Sequence, residues 1–399
     1  MSKKSDNYFN NEKRIQTEIK HLLLTEILKM SLSVANSQLY NPNFKTNRIY
    51  SYFDLFAGNG EFANGEEGSP LLAFNIFLNH LKNNTKFEEL RMLLTDSEKN
   101  NIQNLDNLIK LRKQDSNEGR IKYICNAGNW ENYSTEIKKQ LKESSWGFIF
   151  ADQFSTELNL SNFINTLKND CRLKDILIFY NYNTLVRQFG RSCKADITRL
   201  CKTLNITEEQ FYSFDKGDFS EKFQTSLIES YSSIKEFVIG VSFPTTVNKK
   251  LITADYFYLI FATSSVKLLN TFLDAYEKAL SSYGNYYPQC GLFDNMNMLN
   301  IIKDSNSTNM CDLIIYITRE FLSWKNIIEN HLFVPTTKYI LEKLNDLYKN
   351  NEVRITAPKT FFYKNNTSKL KESEACSSRK NMEQVKIEII KPLQGQLFP

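Results

Sequence analysis

Residues 52–73 read YFDLFAGNGEFANGEEGSPLLA, an apolar run that ends in an acid and then breaks into Gly58, Gly60, Gly65 and Gly68. Glycines this dense mark a backbone that turns tightly or that something approaches closely. A phosphate, a nucleoside cofactor, or only a turn folded on itself would each leave such a mark.

Around that stretch, short apolar runs alternate with helical periodicity. The runs are IYSYFDLFA (49–57), RMLLTD (91–96), IKYICNA (121–127), WGFIFAD (146–152) and DILIFYN (175–181). Helices are expected between them over 70–82, 98–112, 132–143 and 159–168. This alternation predicts an α/β fold with a mostly parallel sheet covered on both faces. The runs KEFVIGVSF (235–243) and DYFYLIFAT (255–263) are too close for a helical crossover, so they are expected to pair as an antiparallel hairpin. Upstream, Ile15, Ile19, Leu22, Leu23, Ile27 and Met30 recur at helical spacing within residues 12–38.

Beyond the hairpin a helix is expected over 264–282, after which SSYGNYYPQCGLFDN breaks the pattern. Helices over 311–330 and 336–350 precede EVRITAPKTFFYK (352–364), which reads as a small hairpin turning at Ala357–Pro358. The polar stretch from 365 to about 382 reads as disordered. Four parts result: an N-terminal helical segment (1–45) packing on the core, an α/β domain (46–282), a helical module with a hairpin (283–364), and a disordered tail (365–399).

With 399 residues, 41% of them hydrophobic, the chain has material for real cores, and its net charge of +5 permits a basic patch without implying one. Seven cysteines carry no CxxC pair, and with no targeting segment they read as reduced thiols of a cytoplasmic protein. His21, His80 and His331 stand at no metal-ligand spacing, so no local zinc site is expected. The longest apolar runs are strand-length, which argues against a membrane span.

The acids and amides that close the strands give the candidate site. Asp54 ends the first strand and Gly58 and Gly60 form the turn. Asp96 ends the second, where a carboxylate can accept both ribose hydroxyls of a nucleoside. Asn126 near the end of the third could meet an adenine edge, and Asp152 closes the fourth. No GxxxxGK[ST] loop is present, and Ala63 stands where a dinucleotide loop has its third glycine. An acid as close to the turn as Asp54 tolerates a sulfonium and repels a pyrophosphate.

The stretch DLFAGNGEFANGEEGSP resembles the signature of the three-Cys-motif partner family. TEIKHLLLTEILKM (17–30) resembles its N-terminal helix, WGFIFADQF (146–154) its strand ending in Asp-Pro-Phe-Gly, and YFYLIFATSS (256–265) its late strand. The resemblance covers most of residues 12–282. Asn59 replaces the usual proline of the turn, and Gln153 and Ser155 replace the proline and glycine after Asp152. The resemblance implies a class I, Rossmann-like S-adenosyl-L-methionine (SAM) methyltransferase fold and a separate three-Cys-motif protein as partner, often in phage-linked or defence-associated gene neighbourhoods. Cofactor contacts fall on Asp54, Phe56, Gly58, Asn59, Gly60, Asp96, Asn126 and Asp152, and the catalytic candidates are Asp152, Tyr180 and Asn181.

DLFAG also resembles motif I of DNA cytosine-5 methyltransferases, which require a Pro-Cys nucleophile. None of the eight prolines precedes a cysteine, and the [DNS]PP[YFW] tetrapeptide of amino-directed DNA methyltransferases is absent. Base methylation by either route is therefore disfavoured.

The C-terminal module resembles the winged helix-turn-helix domain of some family members. Thr336 or Thr337 is the expected N-cap and Ile340, Leu341, Leu344 and Leu347 the buried stripe, with contact to DNA or to protein left open. The terminal QGQLFP resembles a sliding-clamp docking motif with Gln394, Leu397 and Phe398 as anchors. Two functions stay open: an active methyltransferase with an unidentified acceptor, or a non-catalytic partner or DNA-binding regulator on the same fold.

Overall fold

Strand β1 (Ile49–Asp54) has every residue but its first buried, the mark of a strand covered on both faces. It is an inner strand of a seven-stranded sheet described by a computed structural model. The described residues are 15–41, 46–83, 85–116, 118–153, 158–170, 173–181, 194–213, 219–247, 250–281, 302, 305, 309–321, 337–363, 366–371, 375 and 379–390. They fall into two compact units, Met1–Ser264 and Ser265–Pro399. The helix after the last sheet strand, read from sequence with the α/β domain, thus groups with the second unit.

In the first unit, α1 (Ile15–Gln38) is followed by β1, α2 (Ser69–Leu81), β2 (Glu89–Asp96), α3 (Lys99–Ser116), β3 (Ile121–Ala127), α4 (Ser134–Glu143), β4 (Trp146–Asp152), α5 (Leu160–Leu167) and β5 (Lys174–Asn181). Next come α6 (Lys194–Leu204), α7 (Glu208–Tyr212), α8 (Phe219–Ser232), β6 (Phe237–Val247) and β7 (Lys250–Thr263). The three helices found between β5 and β6 among the described residues are elements that sequence periodicity left unassigned.

The sheet order is β3-β2-β1-β4-β5-β7-β6. The first five strands are parallel, and β7 runs antiparallel to both β5 and β6. A doubly wound sheet whose order reverses between β1 and β4, closed by an antiparallel hairpin, is the class I methyltransferase arrangement of the Rossmann-like fold. The hairpin is longer than expected. Its strands run into the polar-looking PTTVNKKLITA, whose β-branched residues suit a ladder. Pro244 is accommodated because β6 is an edge strand and its register shifts between Pro244 and Thr245.

One sheet face packs Phe53, Leu93, Ile149 and Ile178 against Trp130, Phe163 and Leu227. On the other face Tyr52 stacks on Phe148 and meets Phe77 edge-on. Helix α1 adds Leu23, Leu24, Ile27, Leu28 and Leu32, all buried.

At the N-terminal end of β5 a buried carboxylate pins that helix. Ser31 Oγ donates to Asp175 Oδ2 at 2.6 Å and Thr263 Oγ1 donates to Oδ1 at 2.6 Å. Since the single hydroxyl proton of Ser31 goes to Asp175, Tyr50 Oη donates to Ser31 across 2.7 Å. Burial drives the Asp175 carboxyl above the usual carboxylate range, against the pull of Lys235 and the two hydroxyls.

The second unit contains α9 (Val266–Ser281), α10 (Met310–Phe321), α11 (Thr337–Lys349), β8 (Val353–Thr356), β9 (Phe362–Tyr363), β10 (Asn366–Leu370), α12 (Arg379–Gln384) and β11 (Lys386–Ile389). Two expectations are corrected here. Residues 352–364 do not fold on themselves: β8 pairs with β11, setting Ile355 opposite Ile387, and β9 pairs with β10. Within 365–382 the described residues include β10 and the start of α12, with the sparse anchors Leu370, Ala375 and Met382 buried in an otherwise polar sequence. In α11 Ile340, Leu341 and Leu344 are buried as expected and Leu347 only partly. Thr337 opens that helix and turns its hydroxyl to Asn270 instead of capping. Thr336, Ser155 and the docking residues Gln394, Leu397 and Phe398 lie outside the described residues.

The variant Asp175→Ala removes the shared acceptor of two buried hydroxyls and a buried carboxylate on which Lys235 acts. It is expected to lower the unfolding free energy by about 3 kcal/mol in urea titration, with Asp175→Asn costing clearly less.

Candidate functional site

Because β1 to β5 are parallel, their C-terminal ends share one edge of the sheet. That edge collects Asp54, Asp96, Asn126, Asp152 and Asn181 from five strands. The strand order reverses between β1 and β4, which opens a crevice where Asp54 and Asp152 end neighbouring strands.

The glycine-rich segment is built mostly against itself. Gly58 and Gly60 have φ of +66° and +89°, conformations that side chains disfavour. Gly68 donates its N–H to Gly60 O at 2.6 Å, and a Cβ on Gly68 would stand 2.8 Å from that oxygen. Gly60 in turn faces the Leu105 side chain of α3, 2.9 Å from where a Cβ would lie. Phe62 N donates to Glu66 O at 2.9 Å, so residues 61–67 close as a small loop.

Glu67 then fixes this loop to two helices. Its oxygens accept from Asn75 Nδ2 at 2.7 and 2.8 Å, and Oε1 also accepts from Arg112 Nη1 at 2.5 Å. Glu61 meets the same guanidinium at 3.3 Å. The GEEGSP element is thus a clamp on the turn. Its sequence signal was visible, but its purpose was not, because Arg112 lies 45 residues away.

Asp54 is fully buried. Ser69 Oγ and Tyr52 Oη donate to its Oδ2 at 2.8 and 3.0 Å, and Phe56 N donates to Oδ1 at 3.3 Å. This bears on the expected cofactor contact at Asp54. Ser69 is the first residue of α2, with Gly68 at the N-cap, and its hydroxyl serves Asp54. The Asp54 side chain, with no exposed surface, holds the turn from inside. Burial pushes its carboxyl up to about 7; the hydrogen bonds from Ser69, Tyr52 and Phe56 oppose this, and the charge of Asp152 adds to it.

Asp96 is half-buried and faces the turn. Its Oδ2 accepts from Gly58 N at 2.9 Å, while Oδ1 accepts from Glu98 N at 2.9 Å and Asn101 Nδ2 at 3.1 Å. An ionised carboxylate offers about four lone-pair positions. Among the described residues three are filled, and Asp96 thus keeps one acceptor position, on Oδ2. Asn59 O accepts from Asn104 Nδ2 at 3.0 Å, tying the turn to α3. Phe56 is partly buried against the core, and Asn126 is half-buried beside Thr95 in the β2–β3 register.

At the β4 end, Lys20 Nζ reaches Asp152 Oδ1 at 2.5 Å, with side-chain exposures of 2% and 16%. The ammonium also lies 5.1 Å from the centre of the Phe179 ring. Sequence reading passed over Lys20. The available signal was a lysine inside the apolar stripe of α1, in step with Leu24, Ile27 and Ser31. Gln153 is buried, with Oε1 accepting from Leu158 N at 2.9 Å. Tyr180 is corrected out of the site: it is buried in the core, its hydroxyl 2.9 Å from that of Tyr231, and burial drives it above the usual tyrosine range. Asn181, half-buried, stays at the edge.

The edge is therefore rich in acceptors. Gly58 N–H, which a phosphate would need, is taken by Asp96, and a buried acid lies under the turn. Hydroxyls and positive charge suit this surface better than a phosphate. Among the described residues no cluster of three His, Cys, Asp or Glu could hold a metal ion, and no helix is long and apolar enough to cross a membrane.

No family model and no curated protein matches the chain. Solved structures similar to it include a spermidine synthase in complex with the transition-state analogue AdoDATO, 13% identical with a TM-score of 0.32, covering 63% of this chain and 64% of that one. The spermidine synthase from Thermotoga maritima is 11% identical with a TM-score of 0.31, covering 63% and 62%. Loganic acid methyltransferase with SAH is 11% identical with a TM-score of 0.28, covering 80% and 88%. The chain spans a little under two thirds of either synthase. The fold assignment rests on the strand order.

Asp54 makes stability depend on pH. Its folded-state value lies above the unfolded one, so its contribution is complete below about pH 4 and is lost as pH rises through about 7. The loss amounts to about 4 kcal/mol. Chemical denaturation of the wild type and Asp54→Asn at several pH values should show their stability difference shifting by that amount across this window, then flattening above it.

Proposed function

We propose that the C-terminal edge of the sheet binds SAM and that the chain is a SAM-dependent methyltransferase. The observation that carries this reading is Asp96, a carboxylate at the end of β2 that is held by a tight glycine turn and keeps one acceptor position unfilled among the described residues. That is the position from which an acid accepts a ribose hydroxyl in sheets of this kind. When bound, the cofactor supplies a sulfonium methyl that needs no further activation. The chain's part is to hold and align: Asp96 takes a hydroxyl, Asn126 offers its amide to the base, and the clamped turn covers the adenosyl group. Alignment of nucleophile and methyl then accounts for most of the rate. Asp152 and Asn181 border the acceptor end.

A second reading keeps the cofactor and omits the reaction. The burial of Tyr180 favours it, since it takes that phenol away from the acceptor end. In both readings the partner is a separate three-Cys-motif protein, a reading supported by the DLFAG and GEEGSP resemblance.

Calorimetric titration with SAM and S-adenosylhomocysteine tests the shared claim. Binding is expected for the wild type. Asp96→Ala should weaken it by about 10- to 100-fold, the worth of one charge-assisted hydrogen bond, while circular dichroism reports an intact fold. Absence of binding at millimolar ligand in the wild type would overturn the proposal.

A further inference from the structure

A ligand with an amino-acid end brings an ammonium to the switch point, and the nearest acid by sequence, Asp54, cannot meet it. That residue has no exposed surface and three donors already. The next strand over supplies the alternative. Asp54 pairs in register with Phe150, two residues before Asp152, and the Asp152 charge is felt at Asp54. Asp152 keeps 16% of its side chain open, and its Oδ2 has no donor among the described residues.

Lys20 accounts for that geometry. Its ammonium sits on Oδ1 at 2.5 Å, is almost wholly enclosed, and rests near the Phe179 ring. Its backbone belongs to α1, which Ser31 anchors through Asp175. A cation held on one carboxylate oxygen leaves the other without a donor among the described residues.

Resting on the adenosyl reading above, we propose that Asp152 Oδ2 accepts from the α-ammonium of the ligand's amino-acid end, and that Lys20 is the positioning residue that aims it. Asn181 is then the edge residue left for the methyl acceptor. Two cations sharing one carboxylate is a stable arrangement here because the other acids of the edge add negative potential.

The test compares S-adenosylhomocysteine with its deaminated analogue, in which hydrogen replaces the α-ammonium, by calorimetry. The wild type should prefer the former at least tenfold. Asp152→Asn should remove most of that preference while binding the analogue as the wild type does, which also shows the fold and adenosine contacts to be intact. Lys20→Met should cut the preference to a third or less, because the carboxylate, released from its cation, turns toward water; Lys20→Arg should retain most of it. Equal affinity of the wild type for both ligands, or equal weakening of both by Asp152→Asn, overturns the assignment of Asp152. An unchanged preference in Lys20→Met overturns the positioning role. If the wild type binds neither ligand, the adenosyl reading itself falls.

Discussion

A carboxylate without access to water ends the inner strand β1, and much of the crevice is organised by how Asp54 is satisfied there. Tyr52 belongs to the same strand, Phe56 N to the turn, and Ser69 to the first turn of α2. One acid thus binds strand, turn and helix into a unit. The turn cannot relax without leaving a buried polar group unpaired, which is costly in a medium that screens little. The glycines serve the same unit from outside, since Gly60 and Gly68 approach as side chains would not allow. The density of glycine in this stretch therefore records first how the loop packs on itself, and only then what it offers a ligand.

Once the turn is rigid, the remaining acids can be specialised. Asp96 spends most of its capacity holding the turn and its own helix, leaving one position outward. Asp152 is divided in the same way, one oxygen held by Lys20 and the other open. Two half-committed carboxylates on neighbouring sides of a crevice form a surface suited to hydroxyls and positive charge. The division also explains why exposure alone is a poor guide here. The most buried acid supports, and the partly buried ones face outward.

The mostly parallel sheet and the closing hairpin were legible because continuous apolar strands alternating with helical periods admit few arrangements. The order of acids along one edge followed from strand ends alone. Less legible were features that depend on distant pairs. Arg112 on Glu67, Lys20 on Asp152 and Ser31 on Asp175 join residues 45 to 144 positions apart, and no local pattern says which residue each one meets. Tyr180 was misread because a residue one position before a strand end can face either the crevice or the core. Here Tyr231 and Phe223 draw it into the core. The C-terminal pairing of β8 with β11 escaped notice because a nearer strand looked sufficient.

Hydrogen exchange with and without S-adenosylhomocysteine addresses the central claim most directly, because it reports where the ligand sits without assuming a reaction. Amides of residues 56–61 and 96–101 should gain protection on addition of the ligand, with those after Asp152 following. The pair of strands β8 and β11 should be unaffected. Protection confined to the second unit, or none at the β1 and β2 ends at saturating ligand, would contradict the account.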